Sequence, residues 1–364
     1  MDLLILGRNG FLCLTNLFGF VIRLFGNGMF KREMDRVLEI KPEGIYCPAG
    51  NFYIDPRGSV ERAVVTHAHS DHARNGHQSY LCSDASLPLL KIRLGESTTI
   101  KSIPFGKPLT IGSARVSLHP AGHILGSAQV RVEVNGEVWV VSGDYKPQSD
   151  PTCETFEVVP CHGFISECTF GLPVYQWREE SKIFQEVNNW WEENASEGIP
   201  SLLFAYSLGK AQRVLAGLSH DLGPVFVHSA VDSFLKHYEK AGVRFPKTIK
   251  IEKGAEYDFS GSMVIAPPAV EDSTWSRRVK GAKRGFASGW MTIRGAKRRR
   301  NLDRGFVLSD HADWNGLLEV IEQTGAEEVY LTHGNGDALA KFLQEKGRSA
   351  SVLSGASMRG EEEE

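Results

Sequence analysis

The chain has 364 residues, 41% hydrophobic and 23% charged, which excludes disorder as the main state and allows two domains or one core with a large insertion. A formal net charge of -3 excludes a polycation, so any nucleic-acid contact must come from locally grouped basic residues. None of the six cysteines stands in a C-x-x-C pair, which argues against a disulfide framework and against cysteine-bound metal, and favours a reduced, cytoplasmic setting.

Leu3 to Phe25 is mostly apolar, but Arg8, Asn9, Asn16 and Arg23 interrupt it. No run of about 18 apolar residues remains, so a membrane span is not expected. A signal peptide fits poorly, because Arg8 lies deep in the segment and no small-x-small site follows. The preferred reading starts the natural chain at Met29 or Met34 and treats residues 1–33 as a dispensable extension.

From Gly44 short apolar runs alternate with turns. Arg62 to Thr66 reads as a buried strand ending in HAHSDHA. Ala114 to Leu118 is a strand followed by HPAGH, and Asn135-Gly136 joins strands 128–134 and 138–142 as a hairpin. The second of these runs into Gly143-Asp144, and Gly163 to Ser166 runs into Glu167. After Phe170 helices at 180–194, 209–218 and 231–241 alternate with strands at 201–205, 224–227 and 262–266, the pattern of a parallel α/β unit inserted into the first. The first pattern then returns: a strand at 305–308 ending in SDHADW, a helix from 313 with Asp313 as N-cap, a strand at 328–332 ending in His333-Gly334, and a helix at 337–346. The expected division is a core in two parts, 34–168 and 302–356, a cap at 169–301, and an acidic tail at 357–364.

The strongest chemical signal is THAHSDHA, with His67, His69, Asp71 and His72 within six positions. Residues two apart on an extended segment face the same way, so His67 and His69 can grip one ion, and Asp71 and His72 a second after the chain bends. Imidazole and carboxylate ligands suit zinc, with manganese as an alternative. His123, Asp144 and His333 each follow an apolar strand and are the candidates to complete the sites. A carboxylate has two oxygens and can bridge two ions, as Asp144 could. His119, four residues before His123, competes with it as a ligand. Asp55 in FYIDP is the candidate to orient a ligating histidine from behind.

HAHSDH, then GH, then SGD resembles the ordered signature of the metallo-β-lactamase superfamily. Glu167 in SECTFG, His311 in LSDHADW and His333 in THGN resemble the added motifs of its nucleic-acid-processing β-CASP branch. More narrowly, GIYCPAGNFYIDP, HPAGHILGSAQVR, FAYSLGKAQR, FASGWM and GFVLSDHADW are similar to the bacterial ligase-associated DNA exonucleases, some of which carry the label mRNA 3′-end processing factor. The resemblance implies an α/β fold, a metallo-β-lactamase αββα sandwich with an inserted α/β β-CASP cap. It implies two divalent metal ions, zinc or manganese: His67, His69 and His123 on one, Asp71, His72 and His333 on the other, Asp144 between. It also implies that His311 protonates the leaving sugar oxygen, that Glu167 orients His311, and that Asp71 belongs to the catalytic set.

The implied substrate is nucleic acid, with DNA favoured and RNA as the alternative. An ATP-dependent DNA ligase and a helicase are the implied partners, and no membrane is involved. In the β-CASP branch a histidine at the His333 position goes with RNA and valine with DNA repair, so this chain departs from the rule of the DNA group it otherwise resembles. A small ester or thioester hydrolase is the less favoured alternative, because it has no use for a strand-covering cap. Candidate phosphate contacts are Arg294, Lys297, Arg298, Arg299 and Arg300 in the densest basic run, and Lys210 and Arg213 at a helix start. A solvated loop and cap packing are the respective alternatives. Trp290 and Phe286 could stack on bases or pack internally.

Overall fold

The short apolar runs from Gly44 onward build two facing sheets. The computed structural model describes residues 37–293, 295, 300–334 and 336–353, and a short antiparallel pair, β1 (Leu14–Thr15) with β2 (Val21–Ile22). That pair lies in a unit spanning Met1–Arg36, distinct from the unit Val37–Glu364. The rest of the expected N-terminal extension and the tail 357–364 lie outside the described residues.

The first sheet carries, side by side, β3 (Glu39–Lys41), β4 (Gly44–Cys47), β5 (Phe52–Ile54), β6 (Arg62–Val64), β7 (Ser79–Ser83) and β8 (Ile100–Ile103). The pairs β5–β6, β6–β7 and β7–β8 are parallel. The second carries β9 (Leu109–Ile111), β10 (Ala114–Pro120), β11 (Ala128–Val134), β12 (Glu137–Val141), β13 (Gly163–Glu167), β20 (Glu328–Thr332) and β21 (Ser349–Val352). Asn135 and Gly136 both adopt left-handed φ, 52° and 84°, as the two-residue hairpin between β11 and β12 requires. Phe52, Ile54, Val64 and Leu81 of the first sheet meet Val116, Leu118, Val130 and Val132 of the second in one buried cluster. Each such side chain contributes about 1.5–3 kcal/mol by leaving water.

Helices cover the outer faces. Leu317, Val320 and Ile321 of α5 (Trp314–Thr324) and Leu339 and Leu343 of α6 (Asp337–Glu345) pack on Val140, Phe164 and Val329. Leu89, Leu90 and Leu94 of α1 (Leu87–Leu94) pack on Ala63, Val65 and Tyr80. No helix among the described residues is long and apolar enough to cross a membrane.

Between β13 and α5 the chain builds a third sheet, here called the cap sheet: β14 (Ser201–Phe204), β15 (Val225–Val227), β16 (Thr248–Lys250), β17 (Met263–Ala266), β18 (Lys283–Ala287) and β19 (Arg304–Phe306). Its strands pair in parallel in the order β16-β15-β17-β14-β18-β19. Its helices are α2 (Glu180–Ser196), α3 (Lys210–Ala216) and α4 (Ser229–Lys240). Phe234 and Tyr238 of α4 join Leu208 in the same buried cluster as α1, so the cap packs on the first sheet. The strand leading into SDHADW, expected in the returning core, belongs instead to the edge of the cap sheet, where β19 pairs with β18. Its partner β18 hides in the basic stretch KRGFA, where burial begins only at Gly285.

Asp313 caps α5 as expected: one carboxylate oxygen accepts from the Gly316 N–H at 2.8 Å, and the other from the Trp177 N–H at 2.8 Å. Asp313→Ala removes both bonds and should cost about 2–4 kcal/mol. A denaturant titration checks this. A midpoint unchanged from wild type would show that neither bond holds the helix start.

Candidate metal centre

β12, β13 and β20 are parallel neighbours, with Val141 opposite Ile165 and Glu167 opposite Thr332. Their carboxyl ends therefore share one edge, and Asp144, Glu167 and His333 leave it together. β6 ends facing the same region and delivers His67 to His72, while the loop between β10 and β11 delivers His123. The described residues hold three groups whose ligand-capable atoms converge within 4.8 Å: His67, His69, His123 and Asp144; Asp71, His72 and His333; and Asp144, Glu167 and His311.

Hydrogen bonds on the outer side of each ring settle its proton. The Thr66 N–H and hydroxyl donate to the two oxygens of Asp55, at 2.8 and 2.5 Å. With that hydroxyl hydrogen committed, Thr66 Oγ1 accepts from His67 Nδ1 at 3.0 Å and leaves the His67 Nε2 lone pair pointing inward. His72 Nδ1 lies 2.7 Å from Asp55 Oδ2, so its Nε2 also faces in. His69 donates from Nε2 to the Leu208 carbonyl at 3.1 Å, and His123 from Nδ1 to the Asp310 carbonyl at 2.9 Å. The inner nitrogens of these two rings are then both acceptors, facing one another at 3.2 Å. Two lone pairs at that distance repel unless a cation lies between them.

Asp144 completes the convergence. Its Oδ2 is 3.5 Å from His67 Nε2, 3.4 Å from His72 Nε2 and 3.8 Å from His123 Nε2. His67 Nε2, His72 Nε2 and Asp144 Oδ1 are buried with no hydrogen-bond partner, which is costly in a folded protein and is relieved by a cation. Nitrogen and carboxylate donors in this arrangement fit divalent metal. Burial, reinforced by the charge of His72, holds His67 well below the usual imidazole range, in the neutral form a ligand needs. Burial lowers His123 and His333 too. For His72 burial acts in the same direction, but Asp144, Asp71 and Asp55 outweigh it and raise the group. Burial would raise Asp144, yet His72 beside it holds the carboxyl well below its usual range.

His333 follows β20 with φ at 51°, and Asp55 has φ at 43°. Such left-handed side-chain-bearing residues cost about 1–3 kcal/mol each and persist where surroundings hold them. His333 is held by the Cys168 N–H and the Thr169 hydroxyl, which donate to its carbonyl at 3.2 and 3.3 Å. Its ring stacks on His72 with centroids 4.6 Å apart.

Beside the clusters, His311 Nδ1 lies 2.9 and 3.1 Å from the two Glu167 oxygens. Glu167 is fully buried and also accepts from the Tyr145 and Thr169 N–H groups, so it is no ordinary surface carboxylate. Burial would lower His311, but Glu167 outweighs it and raises the group to about 9. Cations in the neighbouring clusters would pull that value down again. His311 keeps 21% of its side chain exposed, and the Trp177 indole N–H fixes its carbonyl at 2.8 Å.

Other expectations fare differently. His119 turns away to Ser117 and Glu157 and stays out of the clusters. Lys210 and Arg213, expected to meet phosphate, are instead taken up inside the protein. Both are buried, with Lys210 paired to Asp310 at 2.8 Å and Arg213 to Asp310 and Asp150 at 2.7 and 3.0 Å. The start of α3 is likewise closed, because Gln212 accepts from the Gly209 N–H at 2.7 Å. Arg300 pairs with Glu271 at 3.1 Å and lies 4.4 Å over the buried Phe286 ring. Arg294, Lys297, Arg298 and Arg299 lie outside the described residues. Trp290 packs on Phe170 and Tyr175, with centroids 4.9 and 5.6 Å away. Sequence reading missed Thr66, Leu208 and Asp310. Thr66 adjoins the motif and was findable; the other two act through carbonyls, which no residue type marks.

No family model matches the chain. A probable DNA ligase from Opitutus terrae is 33% identical over 314 residues, covering 84% of this chain and 30% of that protein. Endoribonuclease YSH1 from Saccharomyces cerevisiae is 22% identical over 326 residues, covering 73% of this chain and 41% of that protein. Cleavage and polyadenylation specificity factor 73 from Drosophila melanogaster is 27% identical over 118 residues, covering 32% of this chain and 17% of that protein. The chain thus spans less than half the length of each of these curated relatives. A crystal structure of a protein of unknown function from Enterococcus faecalis V583 shares the fold, with a TM-score of 0.56, 10% identity, and coverage of 81% of this chain and 80% of that one.

Asp144 faces both histidine groups, so Asp144→Ala should weaken zinc uptake at both, whereas His333→Ala should spare the group of His67, His69 and His123. Titration of the metal-stripped protein with Zn2+ against a chelator checks this. Wild-type uptake by Asp144→Ala would remove Asp144 from the ligand set.

Proposed function

This chain belongs to the β-CASP branch of the metallo-β-lactamase superfamily, and on that premise we propose that it is a metal-dependent nuclease that shortens DNA strands from an end. The observation that carries the reading is the His311–Glu167 pair set against the two histidine–carboxylate groups. A hydrolase of small esters has no comparable need for a second, separately oriented imidazole beside a cap.

His67, His69 and His123 would hold one divalent ion, Asp71, His72 and His333 another, with Asp144 shared and Asp55 orienting His72. Bound there, the ions would supply a nucleophile at neutral pH and offset charge growing on the phosphoryl oxygens. The chain's own part is to move a proton. The departing sugar oxygen is a poor leaving group until protonated. Glu167 occupies His311 Nδ1 and keeps the other ring nitrogen, Nε2, as the proton donor. Trp177 and Ser309 anchor the backbone of His311, which keeps the ring from turning away.

DNA as substrate is supported by the similarity to a probable DNA ligase, whose region of likeness is only 30% of that protein. A strand trimmed by this chain would be a fitting substrate for a ligase, which we propose as its partner. RNA is the second reading, favoured by His333 and by the likeness to endoribonuclease YSH1.

Digestion of end-labelled single-stranded DNA and RNA of matched length, with Zn2+ or Mn2+, tests these readings. Progressive shortening of DNA is expected. Faster cutting of RNA would favour the second reading, and cutting of neither would sink the nuclease assignment. His311→Ala should lower turnover on the preferred strand by roughly 10²–10⁴-fold, the range for a general acid. A nitrophenyl phosphodiester, whose leaving group needs no proton, should be largely spared. An equal loss on both substrates would take His311 out of that role.

A further inference from the structure

The imidazoles are supported from two sides, and the division runs through the group of His67, His69 and His123. His67 and His72 are oriented by Thr66 and Asp55, which adjoin the first sheet. His69 and His123 are oriented instead by the carbonyls of Leu208 and Asp310. Leu208 lies between β14 and α3, and Asp310 follows β19, so both carbonyls are carried by the cap sheet. The His69–His123 pair is therefore complete only while the cap is docked.

Besides the apolar packing of α4 on the first sheet, a buried set of charges centred on Arg213 of α3 joins the cap to the core. Its Nη1 donates to the Asp310 carboxylate at 2.7 Å and to the Ser309 carbonyl. Its Nε lies 3.0 Å from Asp150 Oδ2, beyond β12 on the core side, and its Nη2 meets Glu180 of α2. Lys146 of the core meets the same Glu180 oxygen. Lys210 holds the second Asp310 oxygen at 2.8 Å. Beside this set the cap backbone touches the His123 loop: a Cβ on Gly209 would stand 2.3 Å from Ile124 Cγ2, and its φ of 88° suits glycine. Arg213 touches no proposed ligand itself.

We propose that Arg213 is a positioning residue for metal: by clamping Asp310 and Asp150 together it holds the Asp310 and Leu208 carbonyls against His123 and His69, so that affinity at the His67–His69–His123 group depends on cap docking while the Asp71–His72–His333 group loads independently of it. This rests on reading the two groups as metal sites.

The test is Co2+ titration of the metal-stripped full chain in two backgrounds. His333→Ala isolates the group of His67, His69 and His123, and His67→Ala isolates the other. In the first background Arg213→Met should weaken Co2+ binding by about 10–100-fold, the range for losing a ligand's outer hydrogen bond. It should also alter the visible cobalt spectrum. In the second background Arg213→Met should leave affinity nearly unchanged. Gly209→Ala removes no charge but pushes α3 off Ile124, so it should repeat the pattern, and it keeps the test open if Arg213→Met fails to fold. Arg213→Lys, which retains the charge, should recover part of the loss. Equal weakening in both backgrounds, or none in the first, would overturn the proposal. A wild-type chain that takes up no cobalt would overturn the metal reading itself, and the clamp with it.

Discussion

Asp55 and two backbone carbonyls, on the outer side of the histidines, decide which nitrogen of each ring carries the proton. The rest of the centre depends on that choice. A histidine free to exchange tautomers would offer a lone pair in one state and an N–H in the other. With Thr66 on His67, Leu208 on His69 and Asp310 on His123, three inner nitrogens are left as acceptors around Asp144, and Asp55 turns His72 Nε2 to the same side. The arrangement is unfavourable without a cation, because acceptors face acceptors in a buried space.

The same constraint explains the cap's buried charges. Removing ions from water costs several kcal/mol each, and mutual attraction offsets this only when geometry is good. Apolar residues of similar volume would often be as stable. They would not, however, fix the Asp310 carbonyl at one position and angle. A guanidinium bound to Asp310, Ser309, Asp150 and Glu180 does, because its planar fork accepts few arrangements. The network therefore trades stability for register between the cap and the histidine cluster.

His311 stands apart from the clustered histidines by its exposure. Like His72, which has Asp55 on its Nδ1, it has a carboxylate on Nδ1 and is pushed upward, where His67, His123 and His333 fall. His72 is fully buried among the proposed ligands, whereas the His311 side chain keeps part of its surface open to solvent. Phe170 meets the His311 ring edge-on, and Tyr175, Trp177 and Trp290 pack around Phe170.

Much of this was legible in the residues. HAHSDH, GH and SGD follow strand ends, and a strand end is a local property readable from an apolar run and the turn after it. Hence Asp144, Glu167, His311 and His333 could be named, and the helices at 180–196 and 314–324 found, without coordinates. Other features were hidden because they are not local. β3 and β16 are three residues long with one apolar residue each, so only their partners make them strands. Lys210 and Arg213 looked like phosphate contacts because a charged residue at a helix start is ambiguous until its surroundings are known. Their carboxylate partners Asp150, Glu180 and Asp310 lie between 30 and 100 positions away. The sequence by itself determined which side chains are the candidates for the chemistry, since ligand type and strand-end position are written in short stretches. Only the tertiary structure decided which nitrogen each histidine presents, because that depends on carbonyls and carboxylates brought from the other side of the fold.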